Sequence, residues 1–521
     1  MVKNLVTNII TKGGGHVTCG VIGISWLLRT LSDNGFSDVA YLLATQKSYP
    51  SWGYMALNGA TTIWELWNGD KANPKMNSGN HVMLLGDLLP WCFQHLGGIR
   101  SVGDGFSVAY KHLVLRPDFS IQNCSYVNAS YETPYGLVES RWNKTLQQLH
   151  WEVTIPCNTT ADVCLPDGTV RHVGSGRHTF DVAIPTRDAR ILKDEFLYDQ
   201  APFLSPHAST IVETKKGDLV CAYFAGTYER NPDCCIWVST KKRGSNEWQA
   251  PVLAADGVFS DTLRKACWNP VLTEMPDGEL WLFYKIGVNV QDWTGWLVKS
   301  RDGGKTWSER EPLPEGFLGP VKNKPLLLGD RLICGSSTEK GGWKFHVEIY
   351  NLKTRQWRYV GPVEANLAIP TKEPDKLKPI GCIQPSILQL KDGRLMVLMR
   401  SQNGRLARSY SSDQGETWTK VELSDLPSNQ SGTDAVTLSD GRQVLVYNDF
   451  QTLMGEPKGP RTPLCVAVSG DDGLTWQRAL TLEDSPISEY SYPAVIEGRD
   501  GTLHITYTWR RKGVAYKQIR L

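Results

Sequence analysis

The sequence predicts a mainly β, multidomain protein: a helical N-terminal region, a small β-sandwich and a six-bladed β-propeller that takes up most of the chain. Three observations predict it. Apolar residues recur at three and four positions up to about residue 100, and at every second position beyond it. A turn of the form x-Asp/Lys-Gly-x-Leu, followed by an apolar run, then occurs six times after about residue 200. Three copies of a box, S-x-D-x-G-x-T-W, are laid over that repeat.

Residues 1–100 read as helices through Val21, Ile22, Ile24, Leu27 and Leu28, then Val39, Leu42 and Leu43, then Val82, Leu85, Leu88, Leu89 and Phe93. Residues 101–185 alternate, as in FSVAYKHLVL and HWEVTIP, with a Pro166-Asp167-Gly168 turn, and read as an antiparallel sandwich. Residues 186–200 carry mixed charge and read as a linker. From 201 to 521 the turns KKGDLVCAYF, PDGELWLFYK, LGDRLICGSS, KDGRLMVLMR, SDGRQVLVYN and RDGTLHITYT lie roughly 50–65 residues apart. That is the period of a radial array with one four-stranded blade per repeat. Strands from both ends of the region are expected to close the last blade. In the boxes Ser300–Trp307, Ser411–Trp418 and Ser469–Trp476, an Asp can accept backbone N–H groups across a tight turn, a Gly supplies positive φ and a Trp packs between blades. The box is fold punctuation rather than a site.

With 56 Lys+Arg against 54 Asp+Glu among 521 residues, no basic surface excess marks a nucleic-acid partner. No apolar run approaches the ~18 residues of a membrane span, and MVKNLVTNIITKGGG lacks the apolar core of an export signal. The 12 Cys are scattered without CxxC or Cys/His ligand spacing, so neither a metal nor another cofactor is expected, and Cys157 and Cys164 are expected to stay reduced. The 19 Trp and 19 Tyr suit a planar-faced ligand such as a carbohydrate.

Counting back about eight residues from each blade turn reaches the start of the innermost strand, at His207, Asn269, Lys322 or Lys324, Gln384, Asp434 and Tyr492. They form either a polar ring at the axial opening or a set of blade-closing hydrogen bonds. His346 and Glu348 in KFHVEIY, and Glu489, add acid–base candidates.

The boxes, in a six-blade frame, resemble those of the sialidase (neuraminidase) superfamily of propellers over about residues 195–521. The resemblance implies a glycosidase with three arginines on a substrate carboxylate, a Tyr nucleophile with a Glu base, and an Asp acid. QPSILQLKDGRLMVLMR matches the second arginine with Arg400, and RTPLCVAVSGDDGLTW the third with Arg461. EYSYPAVIEGRDG matches the nucleophile with Tyr490, Tyr492 being a nearby competitor. Leu204 stands at the first arginine and Gln384 at the base, and Glu229 is the one carboxylate in AYFAGTYER, where the acid is expected. A neutral Tyr suits a nucleophile facing a bound carboxylate.

KSYPSWGYMALNGATTIWELW and NHVMLLGDLLPWCFQHLGGI resemble the last helices of inverting α-L-rhamnosidases, and residues 105–182 the sandwich that follows them. That resemblance implies part of an (α/α)6 barrel. Glu65 matches the general base, with Trp52, Trp64 and His81 around the sugar. Such hydrolysis needs two carboxyls ~6.5–9.5 Å apart, and the acidic segment is not found. Taken together, the expectation is an exo-acting glycosidase that cleaves a terminal, acidic sugar from an oligo- or polysaccharide, in a periplasmic or secreted setting. The alternatives are a truncated α-L-rhamnosidase and a sugar-binding propeller without turnover.

Overall fold

The computed structural model describes residues 2–101, 108–121, 124–145, 148–184, 190–365, 368–370, 376–379, 381–452, 458–487 and 489–521. The chain divides into two compact units, Met1–Arg187 and Asp188–Leu521. No helix among the described residues is long and apolar enough to cross a membrane.

The first unit opens with short helices, among them Leu27–Asp33, Ser37–Thr45 and Trp52–Leu57. Asp87 accepts the Leu28 and Arg29 N–H groups at 3.3 and 2.9 Å, which satisfies the start of Leu27–Asp33 from a distant loop. Ser51 caps Trp52–Leu57 by accepting the Tyr54 N–H at 2.9 Å. Helical turns return at Val82–Leu85, Leu88–Trp91 and Cys92–Leu96, as the periodicity implies, after a break. Between Asn58 and His81 the regular structure is one 3-10 turn, Gly69–Lys71, because Asn-Gly, paired threonines and Asn-Pro interrupt the helix.

Two four-stranded sheets follow in this unit. One runs Ile99–Ser101, His112–Leu115, Thr160–Cys164, Val170–Val173, and the other Tyr126–Thr133, Gly136–Lys144, Gln148–Ile155, Gly176–Ala183. Alternate residues of Gln148–Ile155 are buried, as period-two patterning requires. The sandwich is not wholly antiparallel, since His112–Leu115 and Thr160–Cys164 pair in parallel.

The second unit holds six four-stranded sheets. The first strands of blades 1 to 6 are Ser205–Glu213, Ala266–Glu274, Leu326–Leu328, Cys382–Gln389, Asp434–Thr437 and Tyr490–Glu497. Six apolar clusters fill the gaps between successive blades, and one joins blade 6 to blade 1 through Val514, Tyr516, Ile211 and Tyr223. The ring therefore closes. Its closing strand is Ile191–Phe196, which pairs antiparallel with Gly513–Ile519 as the fourth strand of blade 6. Those residues fall in the stretch that reads as linker, whose residues 186–189 lie outside the described ones.

In the box of blade 4, Asp413 accepts the Thr417 N–H at 2.9 Å and the Ser411 hydroxyl at 2.8 Å, while Gly415 (φ +91°) lies against Ile333 of blade 3. The boxes of blades 2 and 5 repeat this with Asp302 and Asp471, and Trp307, Trp418 and Trp476 pack into inter-blade clusters.

Candidate functional site

Four first strands share one irregularity. Ala208, Asn269, Gln384 and Tyr492 have positive φ, of 55°, 35°, 59° and 53°, each inside a register shift. Three of the four precede a proline, at Asn269-Pro270, Gln384-Pro385 and Tyr492-Pro493. A bulge of this kind rotates its residue away from the strand's alternation and re-aims the side chain. It explains why Tyr490 and Tyr492, two residues apart, do not share a face.

Tyr490 is wholly buried in the cluster between blades 5 and 6, and its backbone carbonyl accepts from Asn448 Nδ2 at 2.8 Å. The Tyr490 side chain is therefore turned into the core. Tyr492 is the tyrosine that meets the arginines. Arg400 Nη1 donates to its hydroxyl at 3.0 Å and to Gln430 O at 3.1 Å. The Arg400 and Arg461 guanidinium carbons lie 5.5 and 5.4 Å from the Tyr492 ring centre, and Arg400 also stands 4.7 Å over Trp343.

Arg461 Nη1 donates to Glu489 Oε1 at 2.6 Å and to the Ser491 hydroxyl at 3.2 Å. The same carboxylate oxygen accepts from Arg511 Nε at 2.8 Å and from Ser491 at 2.8 Å. Burial raises the Glu489 pKa, but Arg461 and Arg511 outweigh it and hold the carboxyl below the usual range. Glu229 pairs with Arg511 Nη1 at 2.9 Å. His207, 2% exposed, lies with its ring centre 4.2 Å from that of Tyr492, and its Nδ1 is 2.8 Å from the Thr508 hydroxyl. Burial first, then Arg511, Arg461, Arg400 and Lys322, push His207 well below the ordinary imidazole range, so its ring is neutral.

Lys322 lies by Tyr492, its Nζ 5.8 Å from the ring centre. Lys322 Nζ donates to Asn323 Oδ1 at 2.8 Å, Thr433 O at 3.0 Å and Pro493 O at 2.5 Å, and Asn323 Nδ2 donates to Gln384 O at 3.0 Å. Burial pulls the Lys322 pKa down to about 7, although three acceptors for its three protons describe an ammonium. Each acceptor is itself buried protein, which favours the charged form. The Gln384 Oε1, Ser431 Oγ, Thr433 Oγ1 and Arg400 Nε atoms are buried without a bonded partner among the described residues.

The remaining ring residues are brackets. Asp434 takes Lys324 Nζ at 2.8 Å, Ser386 Oγ at 3.0 Å and the Val495 N–H at 2.9 Å. Glu348, 0% exposed, accepts His346 Nε2 at 2.8 Å, Ser336 Oγ at 3.0 Å and the Leu318 and Gly319 N–H groups at 3.1 and 2.6 Å. Asp434 thus takes the blade-closing alternative of the ring, and the acid–base candidates Glu348 and His346 are buried, with Glu348 tying strands and loops together and His346 Nε2 bonded to it. Asn269 is buried on its bulge in blade 2.

In the first unit Glu65 lies in an irregular loop, where Oε2 accepts the Ser78 N–H at 2.7 Å and its own N–H donates to Ser78 O at 3.0 Å. Trp52 donates to Leu84 O at 2.8 Å and packs edge-on to Trp67. Trp64 is buried under Gly69, and His81 donates its N–H to Ile63 O at 2.7 Å. Sequence reasoning missed Arg511, Trp343, Asn323 and the loop at 428–433. The recurring Asn/Gln/Tyr-Pro pair marks the bulges, but nothing local marks Arg511.

A family model described as BNR repeat-like domain matches residues 217–505, more than half of the chain. The chain belongs to this BNR repeat-like family. Ahead of that domain, the bacterial alpha-L-rhamnosidase 6 hairpin glycosidase domain matches residues 1–96, and the bacterial alpha-L-rhamnosidase C-terminal domain matches 98–180. This BNR repeat-like chain thus joins two glycoside-hydrolase-related parts. An alpha-L-rhamnosidase of Streptomyces avermitilis is 34% identical over 191 residues, which cover 32% of this chain and 18% of that protein. An anhydrosialidase of Macrobdella decora is 23% identical over 255 residues, covering 46% of this chain and 33% of that protein. The NanB sialidase from Streptococcus pneumoniae superposes with a TM-score of 0.48 at 13% identity, covering 74% of this chain and 83% of that one. The chain spans about a fifth of the curated rhamnosidases it matches.

Proposed function

We propose that the propeller is an exo-acting glycosidase that takes a terminal, acidic sugar of an oligo- or polysaccharide at Tyr492. The observation that carries this reading is the Arg400 contact to the Tyr492 hydroxyl, with Arg461 over the same ring and Arg511 one carboxylate away. Planar guanidinium groups pair a carboxylate bidentately, and a cation on the phenol oxygen offsets the charge that develops there as it gives up its proton. A neutral His207 beside the ring and Glu229 at the rim supply proton-transfer candidates. Residues 1–100 and 101–185 are read as a partial rhamnosidase-like helical domain and its sandwich, 186–200 as the join, which also lends Ile191–Phe196 to blade 6, and 201–521 as the rest of the propeller. The setting is taken to be periplasmic or secreted.

One observation favours a second reading, a sugar-binding propeller without turnover: Gln384, which cannot accept a proton from Tyr492, stands where a sialidase-like base is expected, with its Oε1 unpaired among the described residues. Release of reducing sugar from uronate- and sialate-terminated oligosaccharides tests the two. Release abolished by Tyr492→Phe supports the enzyme; saturable binding with no release supports the binding module.

A further inference from the structure

Arg511 sits in the turn between the strands Leu503–Trp509 and Gly513–Ile519 and holds two carboxylates of unequal standing. Glu489 is fixed. Its Oε1 takes Arg461, Arg511 and Ser491 at 2.6, 2.8 and 2.8 Å, and Arg510 anchors its backbone by donating to Glu489 O at 2.7 Å. Glu229 is not fixed in this way. Among the described residues its carboxylate bonds to Arg511 alone, and its side chain is 39% exposed against 23% for Arg511.

The loop that carries Glu229 is itself braced. Thr227 donates its N–H to Asp233 at 3.0 Å, and the Asn231 and Cys234 N–H groups donate to Tyr228 O and Asn231 O at 3.1 and 2.9 Å. Glu229 can therefore leave Arg511 by side-chain rotation while the loop stays in place. Two guanidinium groups, Arg461 and Arg511, meet two acids here, with Arg400 on Tyr492 beside them, so the acid that leaves most easily, the singly held one, defines where an external anion can bind.

We propose that Glu229 is a built-in stand-in for a substrate carboxylate. It occupies Arg511 in the empty site, and a carboxylate-bearing sugar displaces it. Arg511 then joins Arg400 and Arg461 as a specificity-determining residue, supplied by the last hairpin where Leu204 leaves the expected first arginine absent. The inference rests on the anionic-site reading above. It adds a competitor within the chain, and removing that competitor should tighten binding of acids and leave neutral sugars alone.

The test is calorimetric binding of N-acetylneuraminic acid and glucuronic acid, with their methyl esters as neutral controls, to wild type, Glu229→Gln and Arg400→Ala. An exposed ion pair is worth ~0.2–1 kcal/mol, so Glu229→Gln should bind the acids roughly 2- to 5-fold more tightly and the esters equally. In a complex with either acid, Glu229 should stand beyond 4 Å from Arg511. Unchanged or weaker acid binding by Glu229→Gln, with Arg400→Ala still impaired, overturns the stand-in alone. Equal binding of acids and esters by wild type overturns the anionic site and the stand-in with it.

Discussion

Arg400 is 3% exposed and donates to the Tyr492 hydroxyl from a buried position. Charge-assisted hydrogen bonds of this kind are worth ~1.5–3 kcal/mol. If a substrate carboxylate is bound there, Arg400→Ala should weaken acidic ligands about 10- to 150-fold while sparing their neutral analogues. Titrating a uronic acid and its methyl ester checks this; equal losses would mean that Arg400 only braces the loop through Gln430. The tyrosine it serves was half legible in the sequence. Strand alternation gives Tyr490 and Tyr492 the same face, and only the bulge at Tyr492 separates them, with Tyr490 turned into the core. Backbone conformation of that kind follows from how first strands crowd at the axis, so a list of residue types does not show it. Asp434 and Glu348 mislead for the reverse reason: a carboxylate that brackets blades and one that works in a site look alike until their bonding partners are known.

At the scale of elements, the box was readable because its chemistry is local. Asp302, Asp413 and Asp471 each accept bonds from a Ser and a Thr of the same box, and each pKa is drawn down to about 2. For Asp302 burial opposes the shift and the Thr306 and Ser300 bonds outweigh it, whereas for Asp413 and Asp471 the Thr bonds lead. A carboxyl depressed on folding adds stability that is complete above its unfolded value, near 4, and is lost as pH falls through its folded value. Denaturant midpoints should therefore fall steeply between about pH 4 and pH 2, and Asp413→Asn should flatten part of that slope. An unchanged slope would show that the box does not couple to folding. The first unit offers a second check. An inverting hydrolysis needs a second carboxyl ~6.5–9.5 Å from Glu65, and the sequence shows no acidic segment to supply it, so an aryl α-L-rhamnoside should not be hydrolysed by this chain. Turnover abolished by Glu65→Gln would contradict that expectation.

At the scale of the whole propeller, closure depends on Ile191–Phe196, a strand that mixed charge made look like a linker. Those charges point at buried lysines. Asp194 pairs with Lys517 of blade 6, which is 2% exposed, and Glu195 reaches Lys241 of blade 1, 4% exposed, at 2.6 Å, while also accepting from Trp248 Nε1 at 3.2 Å. Glu195 thus ties the last blade to the first. At the blade turns a second latch repeats around the ring: Glu274 accepts the Lys215 N–H at 2.9 Å, Glu497 the Ser439 N–H at 2.7 Å, and Glu213 the Arg499 N–H at 2.9 Å, the last of these crossing from blade 6 to blade 1. Removing one partner of a buried pair leaves an uncompensated charge, at a cost of ~3–5 kcal/mol. Glu195 keeps 20% of its exposure, so Glu195→Ala should cost about 3 kcal/mol, the low end of that range. Asp194→Ala should cost less, because Glu483 remains 3.5 Å from Lys517. Urea unfolding of both variants, read by tryptophan fluorescence, measures the order. If both stay within about 0.5 kcal/mol of wild type, a level typical of neutral surface changes, then backbone pairing with Gly513–Ile519 and the apolar cluster between blades 6 and 1 close the ring without help from these charges.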